Sequence, residues 1–294
     1  MKNKDIQLSV VVASWNGTDA LAKCLESLEQ QTDKSGLEVI VVSNFESDLP
    51  QHESVVFYIR PRSYTVPELR RDGIAAARGN AIALIEDHCV VDPAWSSEIK
   101  KAHNSGYSVV GGSVENLVAG NSLDWAVYFY DYGKFMLPNL PGAAKSLSGF
   151  NVSYKREVLD EIQDVYVDGF FEAFANAELE SRGSEFLMMP TAIVYHNKSY
   201  KLKTELLHCY HLARTFAAQR AARASGQRLF FVLGSLALPV LLPTRVVLSV
   251  IKKGRNLGRL VTSVPYLILL MSFWSFGEFC GYLAGEGTSR GAWR

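Results

Sequence analysis

The chain has 294 residues, 48% of them apolar, with 30 basic and 30 acidic side chains. That length holds one large domain, or a domain and an appendage, and the apolar share supports a sizeable core. Balanced charge argues against a nucleic-acid partner, and four scattered cysteines (Cys24, Cys89, Cys209, Cys280) with no C-x-x-C pair argue against structural zinc or a disulfide framework and point to a reducing cytosol.

Met1–Gln7 is polar and no secretory leader is legible, so the expectation is a cytoplasmic protein. LSVVVAS (Leu8–Ser14) is a β-branched run that predicts a fully buried strand. Asn16, Gly17 and Thr18 then supply turn and N-cap chemistry, and Leu21, Cys24, Leu25 and Leu28 recur at helical spacing. LEVIVVS (Leu37–Ser43) and VVFYI (Val55–Ile59) predict the second and third strands. PELRRDGIAAARG (Pro67–Gly79) has proline near its start and glycine at its stop and predicts a helix. AIALI (Ala81–Ile85) is the fourth strand, and a helix starts at Pro93.

Strand alternating with helix implies an α/β fold with a mostly parallel, doubly wound sheet. Such sheets bind ligands beyond the carboxyl ends of their strands. Ser14–Gly17, Ser43–Asn44 and Glu86–His88 all fall there. Glu86-Asp87-His88 offers two carboxylates and an imidazole where an apolar run stops. Oxygen donors suit Mg²⁺, and the imidazole tilts the set toward Mn²⁺. The alternative is a solvated loop in which Asp92-Pro93 caps the next helix.

Beyond YSVVGGSV the pattern loosens. Asn121–Pro141, rich in aromatics, predicts a helix and a loop. LSGFNVSYKREVLDEI predicts a turn, a short strand and a helix near Lys155. DGFFEAFANAELESRGSEFLMMPTAIVYH predicts a helix, a glycine stop and two short strands ending at His196. A long helix is expected over residues 204–224.

SVVVASWNGTDALAKCLESLEQQT, LEVIVVSN, ELRRDGIAAARGNAIALIEDHCVVDPAW, SGFNVSYKREVL and GFFEAF…ESRGSEFLMMPTAIVYH, in that order, resemble family-2 glycosyltransferases of the GT-A fold from Leu8 to about His196. The resemblance implies a Rossmann-like domain over residues 1–203, with a nucleotide-sugar-binding half (1–113) and an acceptor-side half (114–203). It implies a hexosyl-type transfer from a nucleoside-diphosphate-sugar to a lipid-linked or glycan acceptor, inverting and dependent on Mn²⁺ or Mg²⁺. The nucleotide-sugar would be held by Ala13, Ser14, Trp15, Asn16, Ser43, Asn44, Arg70, Arg71, Glu86 and Asp87. The metal would be held by Asp87 foremost, with Glu86, His88 and His196. The general base would be Glu172, with Glu178 as alternate, and the acceptor would meet Trp125, Tyr128, Tyr132, Gly149 and Asn151. The sequence departs from the family's usual Asp-x-Asp, and its second strand ends in Ser43-Asn44 where an aspartate is common.

Residues 204–294 form a helical, apolar region. Leu229–Thr244 is uncharged but carries Pro239 and Pro243, Leu260–Gly277 approaches the length of a span, and Lys252, Lys253, Arg255 and Arg259 lie between them. Arg220, Arg223 and Arg228 precede the first run. Positive charge on every flank favours interfacial or re-entrant helices on the cytoplasmic face of the inner (cell) membrane. The alternative is an interface in a homo-oligomer. For the whole chain two rival readings remain: a sugar-nucleotide hydrolase or nucleotidyltransferase on the same scaffold, and a nucleotide-sugar-binding membrane protein without turnover.

Overall fold

The buried β-branched runs form the centre of one sheet. The structure, a computed structural model, describes residues 6–46, 48–49, 55–118, 120–223 and 225–292. In chain order the elements are β1 (Leu8–Ser14), α1 (Thr18–Glu29), β2 (Leu37–Ser43), β3 (Val55–Ile59), α2 (Val66–Ala76), β4 (Ala81–Glu86), β5 (Cys89–Val91), α3 (Trp95–His103) and β6 (Val109–Asn116). Then come α4 (Ser122–Tyr132), β7 (Gly142–Ala144), β8 (Val152–Lys155), α5 (Arg156–Asp160), α6 (Glu172–Ser181) and β9 (Phe186–His196). The remainder is helical: α7 (Leu202–Arg223), α8 (Arg228–Ser235), α9 (Leu238–Lys253) and α10 (Leu257–Ala284). Residue 224, the expected end of the long helix, lies outside the described residues.

The chain divides into two compact units, Met1–Leu117 with Phe135–Asn197, and Val118–Lys134 with Lys198–Arg294. The expected boundary at residue 203 is therefore displaced, and the aromatic segment groups with the C-terminal helices.

In the first unit the strand order is β3-β2-β1-β4-β8-β6-β9-β5, with β7 on β9. The block β3-β2-β1-β4 is parallel throughout, as the strand–helix alternation predicts. Beyond it the sheet is mixed: β8 runs antiparallel to β4 and β6, and β6 runs parallel to β9. The two strands expected before His196 are one strand with a bulge. The pairing steps from Gly112↔Met189 to Val114↔Val194, so Pro190 and its neighbours loop out of the ladder. Proline has no N–H to give there. Three-residue β5 escapes periodicity, being too short to repeat an alternation.

Two devices fix the layers that reach the site. Glu68 accepts from both the backbone N–H and the hydroxyl of Thr65, at 2.7 Å each, and starts α2. Buried Asn151 donates to Ser113 O and Ala192 O and accepts from Trp95 Nε1, all at 2.9 Å, tying α3 to the bulge.

The second unit is helical. Asn121 caps α4, its side chain accepting from the N–H groups of Leu123 and Asp124. Asp124 accepts from Tyr200 N at 2.8 Å, and Tyr130 Oη donates to Glu205 at 3.1 Å. These bonds explain why residues 118–134 join the C-terminal helices. The apolar run 229–244 breaks between α8 and α9 with a bend of 69°. Pro239 stands in the first turn of α9, where its missing N–H matters least.

The bulge has no room for a side chain on β6. A Cβ on Gly112 would lie 1.7 Å from Ala192 O and 2.7 Å from Asn151 Nδ2. Gly112→Ala is expected to lower stability by about 3 kcal/mol. Gly234→Ala in α8, where a Cβ meets nothing within 4 Å, is expected to be neutral or slightly stabilising. Thermal unfolding of the two variants checks the contrast.

Candidate active site

The carboxyl ends of β1, β2 and β4 gather most of the expected polar residues. Ala13 lies opposite Glu86 in the β1–β4 register, and Ser14 opposite Ser43 in the β1–β2 register. Just past β4, Asp87 turns inward and is fully buried. Its Oδ2 accepts from Ser14 Oγ at 2.9 Å, Trp15 N at 2.7 Å and Asn16 N at 2.6 Å. Its Oδ1 accepts from Asn16 Nδ2 at 2.6 Å. Burial pushes the Asp87 carboxyl up, but His88 and the side-chain and backbone donors of Asn16 outweigh it and hold the group below the usual carboxylate range.

Asp87 therefore does not fit the expected role of leading metal ligand. Both oxygens are taken up by the turn between β1 and α1, and none is left at the surface. Asp87 and His88 form the turn between β4 and β5, where His88 Nδ1 lies 3.7 Å from Asp87 Oδ1.

On the Glu86 side, Arg70 reaches over from the buried face of α2. Its Nη2 donates to Glu86 Oε1 and its Nη1 to Glu172 Oε2, both at 2.7 Å. Burial opposes the charged guanidinium, but Glu172 first and Glu86 second outweigh it and raise its proton affinity. Glu172 opens α6 and packs against Gly149, where a Cβ would stand 2.5 Å from Glu172 Oε1. His88 Nδ1 lies 3.5 Å from Glu86 Oε2 and 3.3 Å from Asn16 Nδ2. The His88 ring meets His196 edge-on at 4.8 Å and Phe150 at 5.8 Å. The structure thus brings Glu86, His88, His196, Arg70, Glu172 and Gly149 to one place beside the turn Ser14–Asn16.

For a divalent ion, the nearest candidate donors are His88 Nε2, the second oxygen of Glu86 and the neighbouring ring of His196. His88 Nε2 is buried with no hydrogen-bond partner, which suits an atom waiting for a ligand. Among the described residues no three His, Cys, Asp or Glu side chains are grouped to hold an ion. The donor set fits an open site, completed by oxygens of a bound anion rather than closed by protein.

Other expected residues go elsewhere. Arg71 pairs with Asp72 at 2.7 Å and with Val167 O at 3.1 Å, away from Arg70's partners. Ser43 donates to Phe45 O and buried Asn44 to Tyr64 O, so both brace the loop after β2. Glu178 forms a surface pair with Arg182 at 2.7 Å, an ordinary i,i+4 contact. Asn151 is wholly committed to the core bonds already described and presents nothing to an acceptor. Trp125 and Tyr128 are buried within the helical unit, their rings 5.6 Å apart, and Tyr132 packs on Tyr128. Trp125 and Tyr128, expected in an acceptor wall, are core packing, while Tyr132 is half-buried. The bridging geometry of Arg70 was not legible beforehand; its nearest signal was an arginine on the apolar side of α2, between Leu69 and Gly73.

Asp87 gives a sharp test of the scaffold. Asp87→Asn leaves converging donors facing an amide and is expected to cost about 3 kcal/mol. A carboxyl held low in the folded state stabilises fully above its unfolded value near ~4 and loses that contribution as pH falls toward the folded value. Denaturation followed from pH 7 downward should show a flatter acid dependence in the variant.

The family described as Glycosyl transferase family 2 matches residues 9–163, more than half of the chain. A protein of Bacillus subtilis (strain 168) with the name "Putative glycosyltransferase EpsH" is 23% identical over 225 residues, 74% of this chain and 57% of that protein. The chain therefore spans a little over half the length of that relative.

Proposed function

The chain belongs to glycosyl transferase family 2, and from that premise we propose that it moves a hexose-type sugar, with inversion, from a nucleoside-diphosphate-sugar to a lipid-linked or glycan acceptor at the cytoplasmic face of a membrane. The observation that carries the catalytic part is the convergence of Glu172, Arg70, Glu86, His88 and His196 at the carboxyl ends of the parallel strands.

In this reading the turn Ser14–Asn16, stiffened by Asp87, receives the nucleoside diphosphate. Glu172 is partly exposed and takes the proton from the attacking acceptor hydroxyl. The hydroxyl oxygen bonds the anomeric carbon as the bond to the diphosphate breaks, and the diphosphate leaves with the electron pair. His88 and His196 would hold a divalent ion, which when bound neutralises charge on the leaving group.

The membrane part rests on the helical unit. The α10 helix is long and apolar enough to cross a membrane by length and composition, and the bent pair α8–α9 passes the same measure only if taken together. Leu229, Phe230, Leu236, Val240 and Val261 are each more than 60% exposed. Such a face needs cover. Lys252, Lys253, Arg255 and Arg259 lie between Val240 and Val261 in sequence, which suits an anionic headgroup layer.

A thermal-shift screen of UDP, GDP, CDP and ADP with Mn²⁺ and Mg²⁺ should single out one nucleotide, since a ligand at a hundred times its Kd stabilises by about 2.7 kcal/mol. Glu172→Gln should leave that shift in place and lower transfer about 10²–10⁴-fold. Product formation without an acceptor at the full rate would instead favour a hydrolase.

Sedimentation with vesicles tests attachment. The protein should pellet with phosphatidylserine-containing vesicles, and Lys252→Gln with Lys253→Gln should weaken this roughly 30-fold, at about 1 kcal/mol per charge. A dimer that stays in the supernatant would remove the membrane assignment.

A further inference from the structure

We propose that Arg70 is a positioning residue that holds Glu172 in place, and that Glu86 anchors the opposite edge of the same guanidinium. The proposal deepens the reading of Glu172 as the base and rests on it.

The geometry assigns Arg70 an indirect role. Its side chain is 6% exposed, against 35% for Glu172 and 22% for Glu86. A substrate therefore meets the two carboxylates and not the arginine. Both terminal nitrogens of Arg70 are occupied, one by each acid, and its buried Nε has no hydrogen-bond partner. A guanidinium is planar and presents its donors at fixed angles, so the two carboxylates are set relative to each other. A lysine could satisfy one of them, not both. Glu172 is also confined from the other side, because the Gly149 backbone leaves no room for even a methyl group beside it.

The charges give the proposal a sign. Arg70 is the cation directly bonded to Glu172. Glu86 works the other way, drawing on the same guanidinium and adding a like charge nearby. Removing Arg70 and removing Glu86 should therefore move the acidic limb of the pH–rate profile in opposite directions. A purely structural arginine predicts no such opposition.

The experiment compares Arg70→Gln, Arg70→Lys, Glu86→Gln, Glu172→Gln and the double variant Arg70→Gln with Glu172→Gln. The probe is release of nucleoside diphosphate from whichever of UDP-glucose, UDP-N-acetylglucosamine and GDP-mannose the wild type turns over fastest. Arg70→Gln should lower kcat about 100-fold with donor KM within about threefold, and should move the acidic limb of the pH–rate profile upward. Arg70→Lys should fall between it and wild type. Glu86→Gln should move the limb downward, and it carries the test if Arg70→Gln does not fold. On the Glu172→Gln background, Arg70→Gln should change kcat less than about twofold. Full turnover in Glu172→Gln would overturn the base and Arg70's role together. An inactive Glu172→Gln with an unmoved limb, a multiplicative double variant, or a donor KM that rises while kcat holds would leave the base standing and overturn the proposal.

Discussion

The site depends on one buried carboxylate. A turn that ends a parallel strand exposes backbone N–H groups, and such turns bind anions from outside. Here the anion is built in: Asp87 receives Trp15 N, Asn16 N and the side chains of Ser14 and Asn16. The turn is thereby set before any ligand arrives, and the end of β1 is tied to the end of β4. Glu86, the last residue of β4, turns instead to Arg70, while His88 bridges from the Asp87 turn toward His196. The acidic motif is a scaffold residue flanked by two that face the site.

That arrangement fixes the electrostatics. Glu86 and Glu172 share a single guanidinium, so the Arg70 cluster carries one net negative charge before a donor approaches. A diphosphate brought to it would be repelled unless positive charge stood nearby. The imidazoles of His88 and His196 stand on that flank, 4.8 Å apart by ring centroid. A proton on them, or a cation held by them, would offset the repulsion.

Much of the fold was legible, and the reasons differ by element. β1, β2 and β4 are buried on both faces, so uninterrupted runs such as LSVVVAS announced them. α2 announced itself through Pro67 and its glycine stop. The site was legible as a location, because loop position follows from strand direction alone. Its internal division was not. Glu86, Asp87 and His88 are consecutive, and nothing in their identity says which one turns inward; only the register of β4 against β1 decides. The pairing of Arg70 was hidden because its two partners lie 16 and 102 residues away in the chain. Asn151 resembled a loop asparagine, yet its partner Trp95 comes from 56 residues earlier. Side chains committed to distant partners are the ones a local pattern misplaces.

The same logic bears on the C-terminal helices. At about 1.5 Å per residue, the 28 residues of α10 exceed a hydrocarbon core of about 30 Å, so length alone would permit a crossing. Its side chains argue otherwise. Near its C-terminal end Glu278 accepts from Trp274 Nε1 at 2.8 Å and Tyr282 Oη at 2.9 Å, and lies 3.4 Å from Arg220 of α7. Arg214 of α7 donates to Gly285 O, and Arg228 to Tyr282 O. Sinking this half of α10 into lipid would carry those arginines with it, against a penalty of several kcal/mol for each unpaired charge. What remains uncovered is the first half of α10 together with the bent pair α8–α9. Neither is straight and long enough to cross alone. An apolar surface of that shape, interrupted by the basic residues between α9 and α10, is the one that the proposed attachment to one leaflet would cover.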